Sequence, residues 1–500
     1  MGNLVVIELG VSEICFSKLK FSQSGFFAIE QQIKEPVKLT QDMERDGYIK
    51  PARIAETIAI LKIFRRIIDA NGIDNVICYV DPVIATARNQ IAFLDEIYKT
   101  VSLHFRILTL EDQITALHIA VSHTFATTKG LAVQIGADSC QLLNFNRRAV
   151  IQSVNLNFGA NSLAEKFATI TDPAGKMDKM VDFVTAELRK IDWLFSLEPE
   201  TEVIGIGDIF ESLGVLCRKS THYSLDIAHN YEITSENFMS VFNVVRGLDI
   251  DKTKKLKGVS AMRADVLASG MAIIRALFNT VASNIKVSVN GEMYGIVSKS
   301  LMPQLDKPLL DILGYSLSAI NEFYPTVNKV NAIYDIAVIL YKQLKILHRL
   351  NRNYVKILRI SASMSQSGKR ISFENYEKNN FSVILGSNIY GATHREILLA
   401  AFVACNQNID NFSLAEWVKY KDIIDEEDIG AVKKLGMIIK LASLLNVSGA
   451  NAVKDISCDV LGDTVILKTE VEKDATLEIS QAMGLATDFK KIFNKNLQIL

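Results

Sequence analysis

The chain opens with short β-rich runs, Leu4–Leu9 closed by Gly10, Ile14–Leu19 and Gly25–Gln31, spaced so tightly that they predict a hairpin meander. A helical period follows: over Pro51–Ala70 the residues Ile54, Ile58, Leu61, Phe64 and Ile68 share one face, and Asn71-Gly72 ends it. Asn75–Val80 predicts a buried strand, Asn89–Val101 a helix, Phe105–Leu108 a strand, and a further helix carries Ala116–Ser122. The predicted order is a β-meander followed by α-β-α-β-α.

From Leu131 the pattern begins again. LAVQI runs to Gly136, Gln141–Phe145 and Val150–Asn157 answer it, helices are predicted at Leu163–Ile170 and Lys179–Ile191, and Glu202–Ile206 is a strand stopped by Gly207. A strand ending in Ile or Leu and then glycine opens each half, which predicts an internal duplication and two similar α/β lobes facing a cleft. Beyond about residue 306 the period is helical, at Asn331–Leu350, Thr393–Cys405 and Ile429–Leu445, and a small terminal unit pairs a strand at Val465–Thr469 with a helix at Gln481–Phe493.

Composition narrows the function classes. Lysine and arginine number 55 against 56 aspartates and glutamates, so any site for a polyanion is local rather than global, and neither nucleic acid nor a membrane surface is an expected partner. Six cysteines are spread singly and predict neither a disulfide framework nor a zinc ribbon. The N-terminus lacks a basic segment and a cleavage site, and no apolar run approaches the roughly 20 residues that span a bilayer, so a soluble cytoplasmic protein is expected.

Two loops carry candidate chemistry. An acid at the end of a buried strand, followed by glycine and small hydroxyl residues, suits phosphate work: the carboxylate holds a hydrated metal, and turn amides approach phosphate oxygens unobstructed. The first such loop is Glu8-Leu9-Gly10-Val11-Ser12 and the second Gln134-Ile135-Gly136-Ala137-Asp138-Ser139.

On these loops the chain resembles the exopolyphosphatase and guanosine pentaphosphate phosphohydrolase family, part of the actin, Hsp70 and sugar-kinase superfamily. ELGVSE at Glu8–Glu13 is similar to the family's D-[IL]-G-S-N-S, and QIGADSCQ at Gln134–Gln141 to its D-I-G-G-G-S-x-E. Gly159–Phe167, Gly205–Ile209, His229-Asn230-Tyr231, Arg263-Ala264-Asp265-Val266 with Gly270, and Thr393–Glu396 resemble further family segments in the same order. The resemblance implies two actin-like (ribonuclease H-like) α/β lobes with an interlobe cleft, at 1–123 and 124–305, then a mostly helical HD-like domain at 306–440 and a small C-terminal α/β domain at 441–500. It implies hydrolysis of terminal phosphoanhydride bonds of polyphosphate or guanosine pentaphosphate, with Mg2+ if the site is active and no cofactor otherwise, by a homodimer. The loop residues Gly10, Val11, Ser12, Gly136, Ala137, Asp138, Ser139 and Gly207 fall at its phosphate-binding positions.

The departures from the family pattern are concentrated where the chemistry is. The general-base glutamate falls on Gln113, whose amide cannot accept a proton, and the metal-holding acids fall on Glu8, Gln134 and Gln141, of which Glu8 alone keeps a charge. Asp208 and Ile209 replace a glycine and a hydroxyl residue in the third loop, an arrangement expected to repel phosphate. A general base contributes about 10²–10⁴-fold, or roughly 3–5 kcal/mol, so a weak or inactive hydrolase is expected, with a non-catalytic phosphate-binding or protein-interaction module as the alternative. Glu111 or Asp112 could substitute as base and Asp138 could hold a metal, although acids at 111 and 112 also suit a solvated helix N-terminus. In the C-terminal part the metal-binding pair of HD phosphohydrolases falls on Ser365-Gln366-Ser367-Gly368, and a basic stretch from Lys342 through Arg359, then Lys369 and Arg370, predicts one positive helix face, for polyphosphate, for solvent or for a dimer contact.

Overall fold

The computed structural model describes residues 1–40, 43–146, 148–259, 263–281, 283–302, 309–323, 330–407 and 413–500. The chain divides into two compact units, Met1–Leu310 and Asp311–Leu500, and the boundary expected at 305/306 lies outside the described residues.

The first unit holds two mixed sheets. In one, β1 (Gly2–Leu9), β2 (Glu13–Phe21) and β3 (Phe27–Pro36) form the antiparallel meander, while β4 (Val76–Val80) and β5 (Phe105–Ile107) add in parallel, giving the order β3-β2-β1-β4-β5. In the other, β6 (Lys129–Ile135), β7 (Cys140–Asn146), β8 (Ala149–Leu156), β9 (Glu202–Ile206), β10 (Glu232–Ile233) and β11 (Ile285–Ser288) lie in the order β10-β11-β9-β6-β7-β8. Without the short edge strand β10, the second order read backwards repeats the first, so the duplication extends to topology. It extends to register as well: Glu8 stands opposite Cys15 across the first hairpin, and Gln134 opposite Gln141 across the second.

Most expected elements lie within a few residues of their expected bounds, and the differences have local causes. The helix expected at Lys179–Ile191 spans Pro173–Leu188, because Asp172 accepts from the Gly175 amide at 2.8 Å and Pro173 takes the first helical position, starting the helix before its apolar period begins. The helix expected at Leu163–Ile170 spans Ala160–Lys166.

Alternation along the strands sorts the two faces. Val5, Ile7 and Leu9 of β1 pack with the helices Pro51–Ala70 and Gln90–Val101 on one side of the first sheet. Leu4 and Val6 pack on the other side with Tyr79 and Val297, so Glu8 shares their face. In the second sheet Leu131 and Val133 join the large core under the helices Pro173–Leu188 and Leu267–Thr280, whereas Ala132, Leu143 and Ile204 face Leu117 and Val121.

That last contact was not expected from the sequence. The helix Leu110–Thr124, which follows the first sheet in the chain, packs on the second, and the helix Glu292–Leu301, which follows the second sheet, packs on the first. The two exchanged helices touch where Gly295 meets the backbone of Ala116; a Cβ at 295 would lie 2.5 Å from both the Cα and the carbonyl carbon of Ala116. Only glycine permits that approach.

In the second unit, the helices Val330–Gln343, Tyr354–Ser363, Tyr376–Leu385, His394–Cys405 and Asp428–Leu444 pack together, and β12 (Val453–Leu461), β13 (Thr464–Val471) and β14 (Asn496–Ile499) form a three-stranded sheet. The helix expected at Gln481–Phe493 is two, Thr476–Met483 and Ala486–Phe493, parted at Gly484, which costs helix about 1 kcal/mol relative to alanine. The helix expected at Asn331–Leu350 ends at Gln343, and after the short turn Lys345–His348 the backbone reverses through Arg349 in the left-handed region at φ 56°. His348 fixes that corner: its ring bonds the Tyr341 carbonyl at 2.7 Å and accepts from the Leu350 amide at 2.9 Å. The basic stretch therefore occupies separate segments rather than one helix face, and Arg359 is paired with Asp311 at 2.7 Å. The segment Ser365–Gly368 is tied by buried Asn380, which accepts from the Gly368 amide and donates to the Ser365 carbonyl, each at 2.7 Å.

Candidate active site

The inner faces of the two sheets and the first turns of the exchanged helices bring one polar cluster together. Glu8 and Tyr79 come from neighbouring strands of the first sheet, and Asp81 follows Tyr79 at the end of β4. Gln134 and Gln141 lie opposite each other on the second sheet. Gln113 and Glu292 come from the starts of the helices Leu110–Thr124 and Glu292–Leu301.

A chain of hydrogen bonds links the amides to an acid. Gln141 Nε2 donates to Gln113 Oε1 at 2.7 Å, and Gln113 Nε2 donates to Glu292 Oε2 at 2.9 Å. Both glutamines are buried, and the side-chain oxygen of Gln141, like that of Gln134, is a buried acceptor with no hydrogen-bond partner among the described residues. Buried acceptors of this kind are normally satisfied, so each retains the capacity to accept from an O–H donor such as water.

The carboxyls of the cluster lie close enough to feel one another's charge. Glu8 accepts from the Tyr79 hydroxyl at 3.1 Å; burial pushes its carboxyl above the ordinary range against that hydrogen bond, with help from the charges of Glu13 and Asp81. Burial likewise raises Asp81, although its carboxylate accepts from the Val83 amide at 2.8 Å. Glu292 is pushed well above its ordinary value, first by burial and then by the charges of Glu8 and Asp81. The Tyr79 phenol is held well up by burial and by Glu8, so it stays a donor.

The expected substitutes for the base are used elsewhere. Asp112 closes a capping box, accepting from the Thr109 amide at 3.1 Å and the Thr109 hydroxyl at 2.9 Å; burial opposes ionisation, but these bonds and Arg106 leave its carboxyl below the ordinary value. Glu111 is exposed beside it. Both serve the helix N-terminus, the ordinary reading of acids at those positions.

The two glycine loops are built alike. The Gly10 amide closes its turn on the Glu13 carbonyl at 3.0 Å and the Gly136 amide closes on the Ser139 carbonyl at 2.9 Å, so these two N–H groups are spent within the loops. Val11 is buried in the fold, Ser12 accepts from Asn161 Nδ2 at 2.8 Å across the lobes, and Asp138 accepts from Thr40 at 3.4 Å. Ala137 accepts the Asn161 amide at 2.8 Å, close beneath Gly159, where a Cβ would lie 2.5 Å from the Gly136 and Ala137 oxygens. Gly207 takes φ 104° ahead of the helix Asp208–Ser220.

In the third loop the structure corrects two expectations. Ile209 points into the core of its lobe, against Gly270, and so leaves the loop open. Asp208 is not an unopposed anion: it pairs with Arg263 and, at 3.4 Å, with Lys34, and the same two cations pair with Glu13, at 2.9 Å and 3.4 Å. Lys34 and Glu13 belong to the first sheet, Asp208 and Arg263 to the second lobe, so this ring of four charges ties the lobes together.

The expected positions Glu8, Gln113, Gln134 and Gln141 fall in this cluster, together with Glu292, Tyr79 and Asp81, which the sequence did not single out. The duplication carried the missing signal, since a second meander with one parallel strand calls for another strand and helix, and Ile285–Ser288 followed by Asn290-Gly291-Glu292 supplies them. Against the Mg2+ expected for an active site, the donor set is a poor match. Two of the three expected positions are amides, Glu8 is pushed toward its neutral form, and among the described residues no group of three or more His, Cys, Asp or Glu is placed to hold an ion.

Two duplicated sheets with glycine hairpins facing a polar cleft define an actin-like α/β fold. The Ppx/GppA phosphatase family matches residues 20–298, and the chain belongs to that family. The chain is 22% identical over 435 residues to a guanosine-5'-triphosphate,3'-diphosphate pyrophosphatase of Aeromonas hydrophila, covering 84% of this chain and 83% of that one. It is 21% identical over 276 residues to a bifunctional 3-dehydroquinate synthase/phosphatase of Fusobacterium nucleatum, covering 53% of this chain and only 40% of that relative's length. Among solved structures, the Aquifex aeolicus Ppx/GppA family member superposes with a TM-score of 0.53 at 20% identity, over 61% of this chain and 99% of that one. An exopolyphosphatase from Cytophaga hutchinsonii superposes at 0.55 and 18%, over 60% and 98%. No helix among the described residues is long and apolar enough to cross a membrane.

Proposed function

We propose that the cleft takes the terminal phosphates of a linear polyphosphate or of guanosine pentaphosphate and hydrolyses the phosphoanhydride bond, at a rate far below that of a site with a full set of carboxylates. The supporting observation is the chain Gln141–Gln113–Glu292, in which amides stand at the expected base and metal positions while an acid is retained one hydrogen bond away. The named activities of the pyrophosphatase and exopolyphosphatase relatives favour the same bond type. The loss of a base costs about 10²–10⁴-fold, which sets the scale of the expected deficit.

A second reading is favoured by the ring of Lys34, Glu13, Arg263 and Asp208. Cations that would grip phosphate are already neutralised by protein carboxylates, as suits a non-catalytic module whose lobes are held by internal charge. We further propose a cytoplasmic homodimer whose residues 306–440 form a degenerate HD-like domain, followed by a small domain at 441–500. Phosphate release from long-chain polyphosphate and from guanosine pentaphosphate, with and without Mg2+, decides between the readings. Slow turnover abolished by Gln134→Leu together with Gln141→Leu supports hydrolysis, and binding without any release supports the module.

A further inference from the structure

We propose that Glu292 is the general base of this hydrolysis, standing across the contact of the exchanged helices from the position that Gln113 occupies. The inference rests on the hydrolytic reading above and adds the residue that performs its proton transfer.

Geometry carries it. The amide of Gln113 cannot take a proton, but its nitrogen points at Glu292 Oε2, 2.9 Å away. That orientation is imposed from behind, because Gln141 donates to Gln113 Oε1 at 2.7 Å and so turns the NH2 group of Gln113 toward the acid. The relay requires only that Glu292 Oε2 accept, so the Gln113 amide holds one carboxyl oxygen in place and leaves the other to take a proton when the group is ionised. Its other oxygen, Oε1, makes no hydrogen bond among the described residues.

The unsatisfied oxygens of Gln134 and Gln141 then acquire a purpose. Both are buried acceptors without partners among the described residues, and Gln141 belongs to the same relay as Glu292. A water held by an acceptor of this kind and by a carboxylate has its protons directed at protein and its lone pair left for phosphorus. In the step, a water O–H bond breaks and its proton passes to the Glu292 carboxylate while the water oxygen bonds the terminal phosphorus. The bridging P–O bond breaks with its electron pair leaving on the shortened phosphate. The proton on Glu292 returns to solvent, so one water is consumed and one orthophosphate released.

The surroundings suit the role. Glu8 from β1, Asp81 after β4 and Asp112 from the neighbouring helix are the charged groups that act on Glu292. With burial they hold its carboxyl well above the ordinary range, against the Gln113 hydrogen bond. A carboxylate whose affinity for protons is raised in this way is the stronger base when it is ionised.

The test is steady-state phosphate release from long-chain polyphosphate by the full chain and its variants. Glu292→Gln is expected to lower kcat about 100-fold or more with KM changed only a few-fold, and to remove the acid limb of the kcat profile against pH. The exchange Gln113→Glu with Glu292→Gln, which returns the carboxylate across the same hydrogen bond, is expected to recover at least about tenfold over Glu292→Gln alone. Unchanged kcat in Glu292→Gln overturns the proposal while leaving hydrolysis standing. No release by the unmodified chain overturns the hydrolytic reading, and the base with it. Should Glu292→Gln fail to fold, Glu292→Asp keeps the charge and withdraws it by one methylene; an unchanged kcat there likewise overturns the proposal.

Discussion

Replacing Gly295 by alanine probes the contact that sets the whole cluster. The new Cβ would lie 2.5 Å from two backbone atoms of Ala116, where ordinary contact begins at 3.4 Å, and backbone cannot swing aside as a side-chain tip can. The helix Glu292–Leu301 must therefore retreat by roughly an ångström, and overpacking of this kind costs about 1–3 kcal/mol. Intrinsic propensity works the other way, since alanine in place of glycine within a helix gains about 1 kcal/mol. The sign of the result thus separates the two effects. The chain has two tryptophans, Trp193 in the first unit and Trp417 in the second, so in a Trp417→Phe background fluorescence reports the first unit alone. At a slope of about 3 kcal/mol per molar urea, a 2 kcal/mol loss lowers the midpoint by about 0.7 M. Gly430→Ala, read from Trp417 in a Trp193→Phe background, is the control: its Cβ meets nothing within 4 Å in the helix Asp428–Leu444, and it should stabilise the second unit slightly. A midpoint for Gly295→Ala that is unchanged or raised would refute the close-contact argument.

Glu8, Asp81 and Glu292 all have carboxyls raised in the folded state, so the fold holds more protons than the unfolded chain above the ordinary carboxylate range. Their contribution is fully present below the unfolded values near 4 and is lost as pH rises through the folded ones. Stability of the first unit should therefore fall with rising pH across that window, and thermal melts of Glu292→Gln should show a shallower fall. Asp208→Ala frees Arg263 and Lys34 from one of their two acids and should tighten binding of tripolyphosphate in calorimetry by several-fold; unchanged affinity would mean that the charge ring lies away from the ligand. In the second unit, Asp428 is buried, receives the half-exposed Arg395 at 2.7 Å and 2.8 Å and Tyr354 at 3.0 Å, and its replacement by alanine should cost about 1–3 kcal/mol in urea melts read from Trp417.

The local pattern determined a great deal. Alternation and glycine stops place β1 and β6, apolar periodicity places the helix Pro51–Ala70 at its observed bounds, and the repeated opening of each half predicts the repeated sheet order. Gln113, Gln134 and Gln141 were legible as a set because each sits at a motif position that its neighbours mark. Proximity through space was not legible. Period-2 geometry puts Glu8 on one face of a sheet, but nothing in residues 1–20 says that the helix covering that face begins at Glu292, more than 280 residues later. The exchange of helices between sheets is decided by packing, by Gly295 against Ala116, and it alone brings a carboxylate within hydrogen-bond reach of the Gln113 amide. Asp208 teaches the same lesson with the opposite sign. As a residue type it is a repelling anion, and only the folded chain supplies Arg263 and Lys34 to neutralise it, because electrostatic energy depends on distances that sequence spacing does not fix.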